Sequence, residues 1–253
     1  MKEFEEKLVS IVVPVYNAQD FIGETIQYVK AQTYEHWELL LVDDCSLDNS
    51  CNIIEEMQRT DDRIKLIRQE RNSGAASCRN KGVSCARGRY LCFLDADDIW
   101  EPEKLVRELA FMDGGRGFVF TGYEFADENG RGLGKIVHVP ETITYREALK
   151  NTTIFTSTVM IDRAIIADND SMMPCIESED TATWWNILKK YGTGYGLDEC
   201  LVRYRRSAGT LSSNKFQAIK RIWNLYRKHE RLGVAKSFYC MTFWAFRAVF
   251  RRI

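Results

Sequence analysis

The chain predicts an α/β fold, a mostly parallel sheet flanked by helices and followed by a C-terminal helical extension. Three features predict it. β-branched and aliphatic runs recur at residues 9–16, 37–42, 63–67 and 90–94, as in strands buried on both faces. Segments between them carry apolar residues three or four apart, so strand and helix alternate with short connections, the order of parallel strands joined by right-handed crossovers. From Lys215 onward the pattern changes to basic residues interleaved with Trp, Tyr and Phe, which separates a body, 1–214, from a tail, 215–253.

Composition narrows the class. Over 253 residues, 45% hydrophobic and 28% charged residues describe an ordinary globular chain, long enough for one large domain plus an appendage. Cys45, Cys51, Cys78, Cys85, Cys92, Cys175, Cys200 and Cys240 form no C-x-x-C pair and no zinc spacing, so they are expected as free buried thiols in a reducing compartment. The first residues, Met-Lys-Glu-Phe-Glu-Glu-Lys, are charged, and no apolar run reaches 18 residues. The expected location is cytoplasmic. The net charge of −1 hides an asymmetry: the tail has ten Lys and Arg against the single acid Glu230, while the body has 25 basic and 35 acidic residues. The two parts are expected to do different jobs.

In chain order, Val9–Tyr16 is a strand that Pro14 should end, since proline cannot donate to a ladder. Asn17 and Asp20 offer turn and cap chemistry before a helix with Ile22, Ile26 and Val29 on one face. Trp37–Val42 is the second strand and runs into Asp43-Asp44-Cys-Ser46-Leu-Asp48, where Ser46, Asp48 and Asn49 suit a helix start carrying Ile54 and Met57. Arg63–Ile67 is a shorter third strand. Asn72-Ser-Gly74 breaks the chain before a small-residue helix, 75–86. The fourth strand, Tyr90-Leu-Cys-Phe-Leu, ends in Asp95, Asp97 and Asp98, and Pro102 opens a helix with Leu105, Leu109 and Met112 inward. The polar punctuation at Tyr16-Asn17, Asp43-Asp44, Arg71-Asn72 and Asp95–Asp97 therefore lies along one sheet edge, where ligands bind in open α/β sheets. Three carboxylates within four positions repel one another unless a cation sits among them. A divalent ion carrying a phosphorylated substrate accounts for them; so does an acidic loop capping the next helix through Asp98 or Glu101.

Four stretches occur together in order: Val-Ser-Ile-Val-Val-Pro-Val-Tyr-Asn, Val-Asp-Asp-x-Ser-x-Asp, Asn72-x-Gly-x-x-x-x-Arg79-Asn80-x-Gly82 and Phe-Leu-Asp95-Ala-Asp97-Asp98. Over residues 8–112 this set resembles the family 2 glycosyltransferases of the Rossmann-like GT-A fold. The resemblance implies a nucleotide-binding half, 8–112, and an acceptor half, 113–214. It implies that Pro14, Tyr16, Asn17, Asp44, Asn72, Gly74, Arg79 and Asp95 serve the nucleotide, with Asp97 the ligand of Mn2+ or Mg2+. Asp43 is either a base contact or a strand-end turn residue; Arg79 pairs with phosphate or orients Asp95. Asp98 is expected behind the site or as a helix cap.

In the second half, Phe118–Phe125 reads as a strand, Asp127–Gly130 as a hairpin turn, 153–161 as a strand facing sugar and acceptor, and 167–173 as a flexible loop. Glu177-Ser-Glu179-Asp180 resembles the family's Glu-Asp element at a helix start, which makes Asp180 the matching catalytic base and Glu179 its neighbour; an acidic first turn favouring the helix dipole is the plainer reading. Arg203, Arg205 and Arg206 are read as following the last strand and preceding a loop, 207–214, that closes over the diphosphate. Some relatives carry a histidine there, and this chain has Ser207 nearby. With a nucleoside diphosphate leaving group, a single carboxylate suffices to take the acceptor proton, and one displacement inverts configuration. The expected activity is transfer of a sugar, UDP-linked, to a glycan or lipid-linked acceptor in bacterial surface polysaccharide synthesis. The tail either lies on an anionic membrane surface or packs on the domain with its charge outward; its aromatic density argues against nucleic acid. Two other classes fit the sequence less well. A nucleotidyltransferase would carry a Gly-rich loop with a basic residue after the first strand, which is missing, and a non-catalytic sugar-nucleotide-binding protein would have lost Asp97 or Asp180, which are present.

Overall fold

A computed structural model describes residues 4–206 and 215–250. The expected closing loop, 207–214, lies outside the described residues. The first half follows the alternation closely: β1 (Glu5–Val15), α1 (Ile22–Lys30), β2 (Trp37–Asp43), α2 (Ser50–Gln58), β3 (Ile64–Arg68), α3 (Ala75–Cys85), β4 (Gly88–Phe93), β5 (Ile99–Trp100) and α4 (Lys104–Met112). The second half holds β6 (Phe118–Ala126), β7 (Gly132–Val137), β8 (Thr142–Thr144), α5 (Tyr145–Ala148), a 3-10 turn (Thr156–Thr158), β9 (Val159–Asp162), α6 (Asp168–Ser171), α7 (Glu179–Tyr191) and β10 (Thr193–Arg205). The extension is α8 (Lys215–Asn224), a π-helical turn (Leu225–His229) and α9 (Val234–Phe250).

The strands form one sheet in the order β3-β2-β1-β4-β9-β6-β10-β5, with β7 added to β6 and β8 to β10. Pairing is parallel from β3 through β4, as the βα alternation predicts, and β6 and β10 are also parallel. Between these blocks β9 runs antiparallel to both β4 and β6. It starts from the 3-10 turn beside the end of β4 and runs back, so the sheet is mixed overall. Pro14 sits in the last register pairs of β1 with β2, two residues past the last β4 partner, Val12.

Alternation along β1 sorts side chains to two cores. Val9, Ile11, Val13 and Val15 join Ile22, Ile26, Val29 and Leu105 on one face, while Val12 joins Val83, Phe93, Trp184 and Trp185 on the other. Helix α3 lies unusually close to β1: a Cβ at Gly82 would stand 2.3 Å from Val12 Cγ1. That contact explains the glycine in the Arg79-Asn80-x-Gly82 stretch and seats Arg79, one turn earlier, over the strand ends.

Four expectations change. The segment 167–173 is not a flexible loop: it contains α6, and Asp168 pairs with Arg163 at 2.7 Å while Asp170 takes Lys190 and Tyr191 at 2.6 Å each. The strand expected at 153–161 shrinks to β9, because residues 153–155 are irregular and 156–158 form the 3-10 turn. Helix α1 has no side-chain cap from Asn17 or Asp20. All eight cysteines are free, yet Cys85 and Cys175 are exposed, since small residues mark close packing without saying which face is covered.

The extension packs on the body. Tyr226 stacks on Trp185 with ring centroids 5.5 Å apart and planes 4° from parallel. Trp244, 9% exposed, donates its indole N–H to Thr152 Oγ1 at 2.9 Å, and Glu230 takes Lys189 at 2.8 Å together with the Tyr145 hydroxyl. The opposite side of α9 leaves Phe238, Tyr239, Phe243 and Phe246 exposed.

Candidate active site

Two adjoining cavities open along the carboxyl ends of the parallel strands. The first, about 440 Å³, is lined by Pro14, Tyr16, Asn17, Asp44, Arg79, Asp95 and Asp97, joined by Ala18, Phe21, Ala75 and Cys78. The second, about 650 Å³, shares Arg79, Asp95 and Asp97 and continues to Phe155, Thr156, Ser178, Glu179, Asp180, Thr181 and Tyr204. Its far wall comes from the extension: Ala218, Arg221, Ile222 and Trp244.

In the first cavity the loops hold each other in place. Asn17 adopts φ +48°; its Oδ1 accepts the Leu47 N–H at 2.9 Å and its own N–H donates to Ser46 Oγ at 3.0 Å. Buried Asp44 accepts the backbone N–H groups of Ser73 at 2.8 Å and Gly74 at 2.7 Å. Gly74, at φ +84°, permits the turn that aims its N–H at this carboxylate. Asp43 accepts the Ser46 N–H at 3.2–3.3 Å, the behaviour of a strand-end turn residue. Asn72 and Gly74 do not line either cavity; their loop acts through backbone donors, and the face of α3 carrying Ala75, Cys78 and Arg79 forms the wall instead. Asn80 is also turned away, exchanging hydrogen bonds with the backbone of Met173 at 2.7 and 2.8 Å. The spacing of three and four along that small-residue helix was a signal for this wall.

Arg79 links the cavities. With its side chain 7% exposed, it reaches Asp95 Oδ1 at 2.6 Å and Glu179 Oε1 at 3.0 Å. Burial opposes its charge, but the two carboxylates outweigh burial and hold the proton more firmly than usual. The structure thus favours the reading in which Arg79 orients Asp95.

The Asp95–Asp98 loop is pinned from several elements. The Asp95 N–H donates to Ser157 Oγ at 3.1 Å, Ser157 Oγ donates to Asp98 Oδ2 at 2.5 Å, and Thr25 Oγ1 donates to the Ala96 carbonyl at 2.7 Å. Arg205, expected to follow the last strand, is instead the last residue of β10 and buried. Its Nε donates to the Asp97 carbonyl at 2.9 Å, Nη1 to the Glu128 carbonyl at 3.0 Å, and Nη2 pairs with Glu24 at 2.5 Å. Arg203 likewise lies within β10 and pairs with Glu101 at 2.6 Å. Asp98 is fully buried behind the site, where burial and then the charges of Asp95 and Asp97 push its carboxyl well above the usual range.

Asp97 differs from its neighbours. Burial, then repulsion from Asp95, raises its carboxyl to about 6, and among the described residues no side chain bonds to it. A site that penalises its own negative charge suits a cation. Among the described residues no three His, Cys, Asp or Glu side chains come together as a metal cage. One or two carboxylates completed by phosphate oxygens and water are how Mg2+ is commonly held, and Asp97 with Asp95 fits that donor set.

Across the second cavity, Ser178 at φ +60° precedes α7, a strained position for a non-glycine residue. It sets Glu179 and Asp180 in the first helical turn, where the helix dipole favours negative charge. Asp180 Oδ1 accepts the Thr181 N–H at 2.6 Å and Oδ2 accepts the Thr156 hydroxyl at 3.1 Å. Glu179 is drawn to Arg79, and burial, then Asp180, raises its carboxyl despite that pairing. Asp180 therefore presents to the cavity the carboxylate not committed to Arg79.

The family model described as "Glycosyl transferase family 2" matches residues 10–169. A Bacillus subtilis protein provisionally named a teichuronic acid biosynthesis glycosyltransferase, TuaG, is 44% identical over 97% of this chain and 98% of its own. An Escherichia coli protein named UDP-Glc:alpha-D-GlcNAc-diphosphoundecaprenol beta-1,3-glucosyltransferase, WfgD, is 36% identical over 94% of this chain and 93% of its own. Among solved structures, Staphylococcus aureus TarS 1–349 in complex with UDP-GlcNAc superposes with a TM-score of 0.68 at 23% identity, covering 94% of this chain and 71% of that one.

Replacing Arg79 tests its bridging role. Arg79→Met leaves Asp95 and Glu179 facing each other across a buried gap, and urea unfolding should register a loss of about 3–5 kcal/mol. The triple variant Arg79→Met/Asp95→Asn/Glu179→Gln should recover most of that loss.

Proposed function

The chain belongs to glycosyl transferase family 2, and we propose that it moves a hexose from a UDP-sugar to a hydroxyl of a lipid-linked glycan, with inversion and with a divalent metal. The observation that carries the reading is the meeting of the two cavities at Arg79, Asp95 and Asp97, with Asp180 on the acceptor side. The first cavity takes the nucleotide. Pro14 and the exposed ring of Tyr16 offer apolar surface to the base, Asp44 offers a carboxylate edge, and Asp95, oriented by Arg79, faces the ribose. Asp97 with Asp95 would hold Mn2+ or Mg2+ against the diphosphate. Such an ion, when bound, supplies positive charge for the departing diphosphate.

The second cavity takes the acceptor. Asp180 accepts the proton of the attacking hydroxyl, held in position by Thr156 and Thr181. The new bond forms from that oxygen to the anomeric carbon as the bond to the diphosphate oxygen breaks, and the nucleoside diphosphate leaves with the electron pair. Thr156 thus positions Asp180, a role that no motif in the sequence pointed to. The name of the 36%-identical Escherichia coli relative specifies a UDP-sugar donor and a diphosphate-linked lipid acceptor, which supports both substrate classes here.

A lipid-linked acceptor brings a membrane surface with it. Among the described residues no helix is long and apolar enough to cross a membrane. The exposed row of Phe238, Tyr239, Phe243 and Phe246, with ten basic residues in the tail, supports peripheral contact with anionic lipid at the inner membrane face.

Three measurements test these roles. Release of nucleoside diphosphate in the presence of acceptor should fall about 10²–10⁴-fold in Asp180→Asn, with UDP binding by calorimetry unchanged. Asp97→Asn or EDTA should weaken UDP binding itself. Co-sedimentation with vesicles containing anionic phospholipid should be clear for the wild type, fall several-fold in Phe238→Ser/Phe246→Ser, and weaken with added salt.

A further inference from the structure

Carboxylates are only part of what lines the larger cavity. Phe155 and Tyr204 line it too, both half-buried, with ring centroids 4.7 Å apart. Behind them lie Tyr123 and Phe125, 7% and 8% exposed. The Tyr123 ring stands 5.2 Å from that of Phe155, and the Phe125 ring 5.7 Å from that of Tyr204. The four rings form one cluster, of which the outer two meet the cavity. The Phe155 carbonyl accepts both the hydroxyl and the N–H of Thr158, at 2.6 and 3.0 Å, which fixes the turn that carries the Phe155 ring.

Each outer ring precedes a residue that anchors the site. Phe155 is followed by Thr156, whose hydroxyl donates to Asp180, and then by Ser157, which accepts the Asp95 N–H. Tyr204 is followed by Arg205, which holds the Asp97 carbonyl. The aromatic floor is thus tied through adjacent peptide units to Asp180 and to the acidic loop. A pyranose ring has a face of polarised C–H groups and a rim of hydroxyls. The negative face of an aromatic ring attracts the first, and carboxylates, which only accept hydrogen bonds when ionised, suit the second. Among the described lining residues, four carboxylates stand against two guanidinium groups, those of Arg79 and Arg221. That excess of negative charge disfavours a further carboxylate on the sugar, because like charges brought together at a contact are costly.

The geometry points to Phe155 and Tyr204 as a platform on which the acceptor's terminal sugar stacks, with an uncharged pyranose selected over a uronate. The inference rests on reading the larger cavity as the acceptor side. It assigns the choice of acceptor sugar to two rings from the second half of the chain. It also places the sugar that carries the attacking hydroxyl beside the turn that positions Asp180.

The full chain is saturated with UDP and Mn2+, and calorimetry compares four probes that share one phenoxyalkyl diphosphate. Two carry α-linked N-acetylglucosamine or N-acetylgalactosamine, and two carry the corresponding 6-carboxylates. The wild type should bind an uncharged probe about tenfold or more tightly than its uronate. Phe155→Leu and Tyr204→Leu should each weaken that uncharged probe about 3–10-fold, while Phe155→Tyr should keep its affinity. Proton NMR gives a readout that a packing role would not move: the bound sugar-ring protons should shift upfield in the wild type and lose that shift in Phe155→Leu/Tyr204→Leu. Equal affinity for a sugar and its uronate overturns the selection by charge. An unchanged affinity and upfield shift in the double variant overturns the platform, and so does loss of UDP binding in both leucine variants, which would make the rings packing groups. UDP affinity, measured first, separates the readings. A wild type that does not bind UDP overturns the donor site, and one that binds UDP but none of the four probes overturns the acceptor reading and the platform with it. Probes that bind regardless of Phe155 and Tyr204 overturn the platform alone.

Discussion

A nearly buried guanidinium held between two carboxylates organises this molecule. Arg79 comes from a helix of the parallel half, Asp95 from the end of β4, and Glu179 from α7 in the other half, 100 residues further along the chain. Burying one such charge is costly, and the cost is offset only when its partners stay in place with good geometry. The interaction therefore penalises any separation of the two halves at the point where the cavities meet. Arg205 does the same from the far side, binding the backbone of the acidic loop, and the two arginines clamp Asp95–Asp98 between them. In the mechanism proposed above, this rigidity sets the distance between leaving group and base, where small errors in position are expensive.

The clamp also explains how neighbouring acids diverge in role. Asp95 has a cation, Asp98 has Ser157 and a buried setting, and Asp97 has neither. Glu179 and Asp180 are adjacent, yet only Glu179 reaches Arg79. At each end of the site Arg79 fixes one carboxylate, Asp95 or Glu179, and leaves its neighbour, Asp97 or Asp180, outside its reach.

Much of this was legible in the sequence. The β-branched runs and the polar punctuation after them placed Tyr16, Asp44, Asp95 and Asp97 on one edge, because parallel βα units put every strand end on the same side, and the family resemblance added Arg79. Less legible were features that depend on backbone atoms or on partners distant in sequence. Asn72 and Gly74 looked like ligand contacts, but the loop works through N–H groups given to Asp44. Arg205 looked like a loop cation, because the length of β10 depends on its pairing with β6. The antiparallel insertion of β9 leaves no trace in an apolar run. Most consequentially, an amphipathic helix shows the same pattern whether it packs on protein or on lipid. The tail does the first through Tyr226 and Trp244 and leaves a second aromatic face outside, so neither Arg221 nor Trp244 could be assigned to the larger cavity from sequence.

The central claim is that one uncommitted carboxylate, Asp180, serves one displacement at the junction that Arg79 holds. The most direct test is the anomeric configuration of the first product, read by proton NMR of the newly formed linkage after transfer from an α-linked UDP-sugar. The account predicts a β-linked product. An α-linked product would require either two displacements or a front-face departure, and would contradict it.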